Sequence, residues 1–144
     1  MSVNRALAVS ELLKGDWSLT GSLAVANIAW PTTRVEAVGI TQIGTIQVAV
    51  YNNSPDKQVD ALSRECYLIT EKLIVDIIVR NGGSNHDSLA AAEASLEAVV
   101  AEVYRIIHLQ DPNYVVSGES IHANSPELTR CMINVDAVYF HISV

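Results

Sequence analysis

The chain has 144 residues, of which 49% are hydrophobic and 17% are charged, and its formal net charge is −7 at pH 7. This length and composition are typical of one compact globular domain, residues 1–144, with enough apolar residues for a sizeable core. An acidic surface repels a phosphate backbone, which argues against free-standing nucleic-acid binding.

The N-terminal part predicts a short helix followed by a loop. Residues 3–14 place leucines on one helical face, and Gly15 is positioned to end the helix. The loop is expected to contain an extended stretch at 26–30, ended by Pro31. The apolar run after Arg5 is too short for a signal peptide, and the sequence has no apolar run of about 20 residues. We therefore expect a protein made in the cytoplasm that does not span a membrane.

Two strands joined by a polar segment are predicted next. Apolar side chains alternate from residue 46 to 50, which is the period of a half-buried strand. Residues 52–65 are polar and contain a strong turn signal, so they predict a long hairpin loop. Residues 66–80 predict a second, long strand, with apolar side chains at most odd positions.

Asp76 interrupts the apolar sequence of this second strand. It lies on the even-numbered face, together with Lys72 and Arg80. We expect this face to be solvated or to contact another subunit, and Asp76 to pair with Arg80 or with a cross-strand group.

A helix from about residue 87 to 109 is the strongest structural pattern in the sequence. Its apolar side chains recur at helical spacing on one stripe: Leu89, Ala92, Leu96, Val99, Val100, Val103 and Ile107. Glu102 and Arg105 are expected to lie off that stripe. The glycine-rich turn at 81–86 precedes this helix.

Two further strands complete the predicted sheet. Residues 114–121 predict a strand with a bend at Gly118, and residues 128–144 predict a long final strand. The apolar set of the final strand changes register near Ala137, which predicts a bulge there. The predicted fold class is α+β: a mostly antiparallel sheet with one long helix and a short N-terminal helix packed on one face.

The sequence has no motif for catalysis, for a cofactor or for a metal ion. Its four histidines lack metal-ligand spacing, and its glycines lack the lysine and the spacing of a phosphate-binding loop. Cys66 and Cys131 form no CxxC motif and are expected to be reduced core residues, although one disulfide stays open if their strands are neighbours. We therefore expect no enzyme, no cofactor and no metal site.

The order of the elements resembles that of the tail terminator proteins of tailed bacteriophages, also called tail completion proteins, and of the related neck proteins. The segments that carry the resemblance are "IAWPTTRVEA", "EKLIVDIIVR", "SLAAAEASLEAVVAEVYRII" and "AVYFHISV", and it covers about residues 3–144. It implies a structural virion protein of the tail or neck: a hexameric ring that caps the tail tube and joins it to the head connector. DNA would pass through the channel without specific binding, which an acidic surface favours.

The resemblance implies partners but supplies no catalytic residues to transfer. The expected partners are further copies of the chain, the tail tube protein, and the head connector or stopper protein. The interface residues are predicted by position, in the 52–65 loop and on the even face of the following strand: Asp56, Lys57, Asp60, Arg64, Glu65, Lys72, Asp76 and Arg80.

Three alternatives to the tail terminator stay open. They are another head-completion or neck protein of the virion, a non-viral oligomeric ligand-binding or regulatory protein, and a small enzyme whose site is built from scattered residues.

Overall fold

The structure is a computed structural model, and it describes residues 4–32, 46–80, 89–110, 113–124 and 128–142. Its regular elements in chain order are helix α1 (Arg5–Asp16), two 3-10 turns (Gly21–Leu23 and Val25–Asn27), strands β1 (Ile46–Ala61) and β2 (Cys66–Arg80), helix α2 (Leu89–His108), and strands β3 (Tyr114–Asn124) and β4 (Leu128–Ile142). The predicted turn at 81–86 lies outside the described residues.

The described strands form one antiparallel sheet in the order β1-β2-β4-β3. The ladder between β2 and β4 is the longest, running without interruption from the Cys66–Ile142 pair to the Arg80–Leu128 pair. Both helices bury their apolar side chains in one cluster with one face of this sheet. The predicted α+β class is therefore confirmed.

The unbroken β2–β4 ladder shows that the bulge predicted near Ala137 is wrong. The two apolar sets of β4 instead lie on opposite faces of a regular strand: Ile133 and Val135 belong to the core cluster shared with the helices, whereas Phe140 is exposed. The irregular pairing is on β3, between residues 116 and 121. Gly118 has φ 145° there, a conformation that favours glycine, so the predicted bend is confirmed.

The hairpin predicted between the first two strands is confirmed, but its long loop is wrong. β1 continues through residue 61 and pairs with β2 along most of the segment 52–61, with one irregularity between Asn52 and Lys57. The connection is only residues 62–65, closed by the Leu62 N–H, which donates to the Cys66 carbonyl at 2.9 Å. Polar residues suit this strand because its outer part carries exposed side chains.

The inner part of β1 is buried on both faces, so the half-buried strand predicted at 46–50 is wrong. Val48 faces the helices, and Gln47 and Ala49 on the other side are equally buried. Ala49 belongs to a second, smaller cluster with Tyr51, Ile74 and Met132, which contains strand residues alone among those described. The sheet therefore has a large core under the helices and a small one on its other face.

The N-terminal segment differs from its prediction in detail. α1 begins after the Asn4 cap, whose side-chain oxygen accepts from the Leu7 N–H at 3.1 Å, and it continues through Gly15 to Asp16. The extended stretch predicted at 26–30 begins only at Ile28, because residues 25–27 form a 3-10 turn.

The two cysteines are free thiols, and their positions in the β2–β4 ladder are far apart. Cys131 is a core residue, and burial raises the pKa of its thiol to about 11. Cys66 is only half-buried, so the prediction of a core position is confirmed for Cys131 alone. Neither of the described helices is both long and apolar enough to cross a membrane.

Candidate interaction surface

At one end of the sheet, strands β1, β2 and β4 extend further than β3 does. The first pair between β3 and β4 joins Tyr114 to Ala137, whereas the β1–β2–β4 pairing continues for several residues past it. We call this extension the arm and define it as residues 57–70 together with residues 138–142. It is the part of the sheet that lacks the fourth strand.

Both outer edges of the sheet are paired away from the arm. The edge of β1 is held by the segment before it, because the Val48 N–H donates to the Ala29 carbonyl at 2.8 Å and the Val50 N–H donates to the Pro31 carbonyl at 3.0 Å. The edge of β4 is held by β3 as far as residue 138. Among the described residues, no strand pairs with either edge inside the arm, and such edges offer backbone donors and acceptors to another chain.

The arm also carries exposed apolar side chains. Within the described part of the chain, three of the large apolar residues that are most exposed lie on it: Val59 at 55%, Leu62 at 57% and Phe140 at 65%. They belong to three different places, since Val59 is on β1, Leu62 is in the turn and Phe140 is on β4. Single exposed apolar side chains are common on protein surfaces, so these three carry weight only together with the edges of the arm, which no described strand pairs with.

A groove of about 460 Å³ lies between the arm and the start of α1. Its walls include Leu68, Tyr114, Tyr139 and Phe140, and its charged residue is Arg5. The Arg5 guanidinium lies 3.9 Å from the centre of the Tyr139 ring, a favourable cation–π contact. The Arg5 Nε is buried and has no hydrogen-bond partner among the described residues. We call this feature the Arg5 groove.

The sequence-predicted interface residues do not form one surface. Asp60, Arg64 and Glu65 come together, exposed, at the tip of the arm. Asp56 and Lys57 lie on β1, but their side chains are outside the described part of the structure.

Asp76 is buried, so the prediction that it faces solvent or a partner subunit is wrong. Its carboxylate accepts from Arg130 Nε at 2.9 Å and from Arg130 Nη2 at 2.6 Å, and the Tyr51 hydroxyl donates to it at 3.1 Å. The alternative prediction of a cross-strand partner is confirmed. Because three hydrogen bonds satisfy the carboxylate, they offset the cost of removing its charge from water.

Lys72 and Arg80 are both exposed but lie far apart on β2. The Lys72 ammonium pairs with Asp136 at 3.0 Å, whereas Arg80 is the last residue of the strand. Eight residues of extended chain separate them by about 26 Å. With Asp76 buried between them, the prediction of a single interface face on this strand is wrong.

Glu102 is buried on α2, and its predicted position off the buried stripe is wrong. Its carboxylate accepts from the Ser18 backbone N–H and from Arg105 Nε at 2.9 Å, while Arg105 Nη2 donates to the Asp16 carbonyl at 2.7 Å. Hydrogen bonding to Arg105 lowers the pKa of Glu102 from its ordinary 4.5 to about 2. These hydrogen bonds connect the C-terminal end of α1 and the residues after it to α2, so we assign them a structural role.

The groove residues Arg5, Tyr139 and Phe140 were not predicted from the sequence. The sequence does contain the information that places Phe140. In a regular strand an even-numbered residue points away from the face that carries Cys131, Ile133 and Val135. The assumption of a bulge moved it onto the core face.

Among the described residues, no group of three or more histidine, cysteine, aspartate or glutamate side chains is arranged to hold a metal ion. No protein-family model matches the chain, and no curated protein matches it either.

Proposed function

We propose that this chain is a structural protein that assembles into a ring of identical subunits through its arm. Following the resemblance of its element order, we propose a hexameric tail terminator of the virion. Such a ring caps the tail tube and joins it to the head connector or stopper. It needs no catalytic site and no cofactor.

The observation that carries this proposal is the arm itself. The arm leaves Val59, Leu62 and Phe140 more than half exposed, so it buries less apolar surface than the rest of the sheet, and an isolated two-stranded hairpin is only marginally stable in water. The edges of the arm, with which no strand among the described residues pairs, and its exposed apolar side chains also favour association with other chains. Contact with a neighbouring subunit removes both disadvantages, because it pairs the edges and buries Val59, Leu62 and Phe140.

The overall charge is compatible with a channel that DNA crosses. At −7 per subunit, a closed ring carries a strongly negative field, which repels phosphates and prevents DNA from binding to the wall. The net charge therefore allows DNA to pass through the ring.

Native mass spectra of the purified protein over a concentration series test the proposal. We expect a species of six times the 15.6 kDa subunit mass that grows with concentration, and negative-stain images that show a ring with a central opening. A protein that stays monomeric throughout the series contradicts the assembly role. A closed dimer without an opening contradicts the ring.

A further inference from the structure

We infer that the arm tip of one copy, residues 58–65, docks into the Arg5 groove of the next copy. The inference rests on the proposed function, because it names the contact that joins the subunits. It makes that contact heterologous, with a donor surface and an acceptor surface at different places on each subunit.

The apolar groups of the two surfaces are complementary. The arm tip presents Val59 and Leu62, both more than half exposed. The groove is lined by Phe140, which is also more than half exposed, and by Tyr114 and Tyr139. The volume of the groove, about 460 Å³, lies within the range of about 300–1,000 Å³ that is usual for ligand-binding pockets.

The charges of the two surfaces are complementary as well. The arm tip carries the exposed carboxylates of Asp60 and Glu65 against the single guanidinium of Arg64, which leaves it acidic. The Arg5 guanidinium already has one face against Tyr139, but its Nε donor has no acceptor in the part of the chain that the structure describes. A carboxylate matches the donor geometry of a guanidinium, and Asp60 stands between the two apolar residues of the tip.

The proposed occupant is another copy, because the contact between Asp60 and Arg5 cannot form within one subunit. Asp60 pairs with the groove residue Leu68 on β2, Leu68 pairs with Phe140 on β4, and Arg5 lies over the neighbouring Tyr139. Two strand spacings, about 10 Å, therefore separate β1 from the strand that Arg5 contacts, and the ladder holds that separation. A donor and an acceptor on one subunit give head-to-tail association, which closes into a ring when the rotation permits.

Charge reversal with complementation tests this contact. Asp60→Arg and Arg5→Asp should each raise the concentration for half-assembly at least about tenfold, because each places like charges together. An equimolar mixture of the two variants should assemble again, with the variants alternating, because every contact then joins opposite charges. Glu97→Arg reverses an exposed charge on α2, away from both surfaces, and should assemble like the wild type.

The outcomes separate this inference from the proposed function. Circular dichroism and thermal unfolding first establish that each variant is folded; Asp60 is exposed, so its variant tests the contact even if Arg5→Asp does not fold. If the wild type assembles and folded Asp60→Arg assembles equally well, the docking contact is wrong while the assembly role stands. If the two folded variants do not assemble separately and also do not assemble when they are mixed, the pairing of Asp60 with Arg5 is wrong. A wild type that never assembles overturns both.

Discussion

Replacing Glu102 by glutamine should destabilise the protein, because this carboxylate joins α1 to α2. It is 5% exposed and accepts hydrogen bonds from the Ser18 backbone and from Arg105. Its pKa falls from 4.5 to about 2 in the folded protein. A shift of this size corresponds to about 3 kcal/mol of stability at pH 7. Because the Arg105 side chain is 44% exposed and partly screened by water, we expect a loss of about 2–3 kcal/mol in Glu102→Gln.

The pH dependence of this loss has a definite sign. The folded-state pKa of Glu102 is depressed, so its contribution is complete above the ordinary value of 4.5 and declines as the pH falls towards 2. The difference in unfolding free energy between the wild type and Glu102→Gln should therefore shrink to roughly half or less at pH 3.

Urea unfolding at pH 7 and pH 3, followed by circular dichroism, measures both quantities. The matched control is Glu97→Gln, the same change at an exposed position of the same helix, which should stay within about 0.5 kcal/mol of the wild type. If Glu102→Gln is as stable as this control at pH 7, or if its deficit does not change between the two pH values, the assigned contacts are wrong.

Two further substitutions test the sheet. Asp76→Asn removes the buried carboxylate that pairs with Arg130 and should cost about 3–5 kcal/mol in urea unfolding, whereas Asp136→Asn, in a more exposed pair, should cost about 1 kcal/mol or less. Equal costs would show that Asp76 is not buried as described. Gly118→Ala should lower the free energy of unfolding by about 1–3 kcal/mol, because φ at this position is 145°. Gly15→Ala in α1 is the control and should be neutral or stabilising. A neutral Gly118→Ala would contradict the strained bend on β3.

The regular, strongly patterned elements could be predicted from the sequence. The second strand was predicted at 66–80, which are the bounds of β2, because most of its odd positions are apolar. The long helix was predicted within two residues of the described end of α2, because its stripe repeats at helical spacing. Both patterns include the apolar face that the element turns towards the core under the helices, which local periodicity reports directly.

The errors arose where burial depends on distant parts of the chain. The predicted loop at 52–65 is mostly strand because polar residues also occur on a strand that extends past the helices. Asp76 was predicted to face solvent or another subunit because its partner Arg130 is 54 residues away and no local pattern joins them. Glu102 is buried by the segment that follows α1, a contact across 84 residues.

The candidate site depends on the same long-range information. The charged residues of the arm tip were predicted, but the Arg5 groove was not, because it combines the start of α1 with the strand ends of β3 and β4. The strand order places β3 beside β4, and no local pattern in the sequence indicates that order.

Assembly through the arm is tested most directly by the native mass of a triple variant, Val59→Ser with Leu62→Ser and Phe140→Ser, beside Leu109→Ser. All four positions are more than half exposed, but Leu109 lies just after α2 and outside the arm. We expect the triple variant to remain a folded 15.6 kDa monomer at concentrations where Leu109→Ser forms a species of six subunits. A triple variant that assembles as well as Leu109→Ser would contradict assembly through the arm.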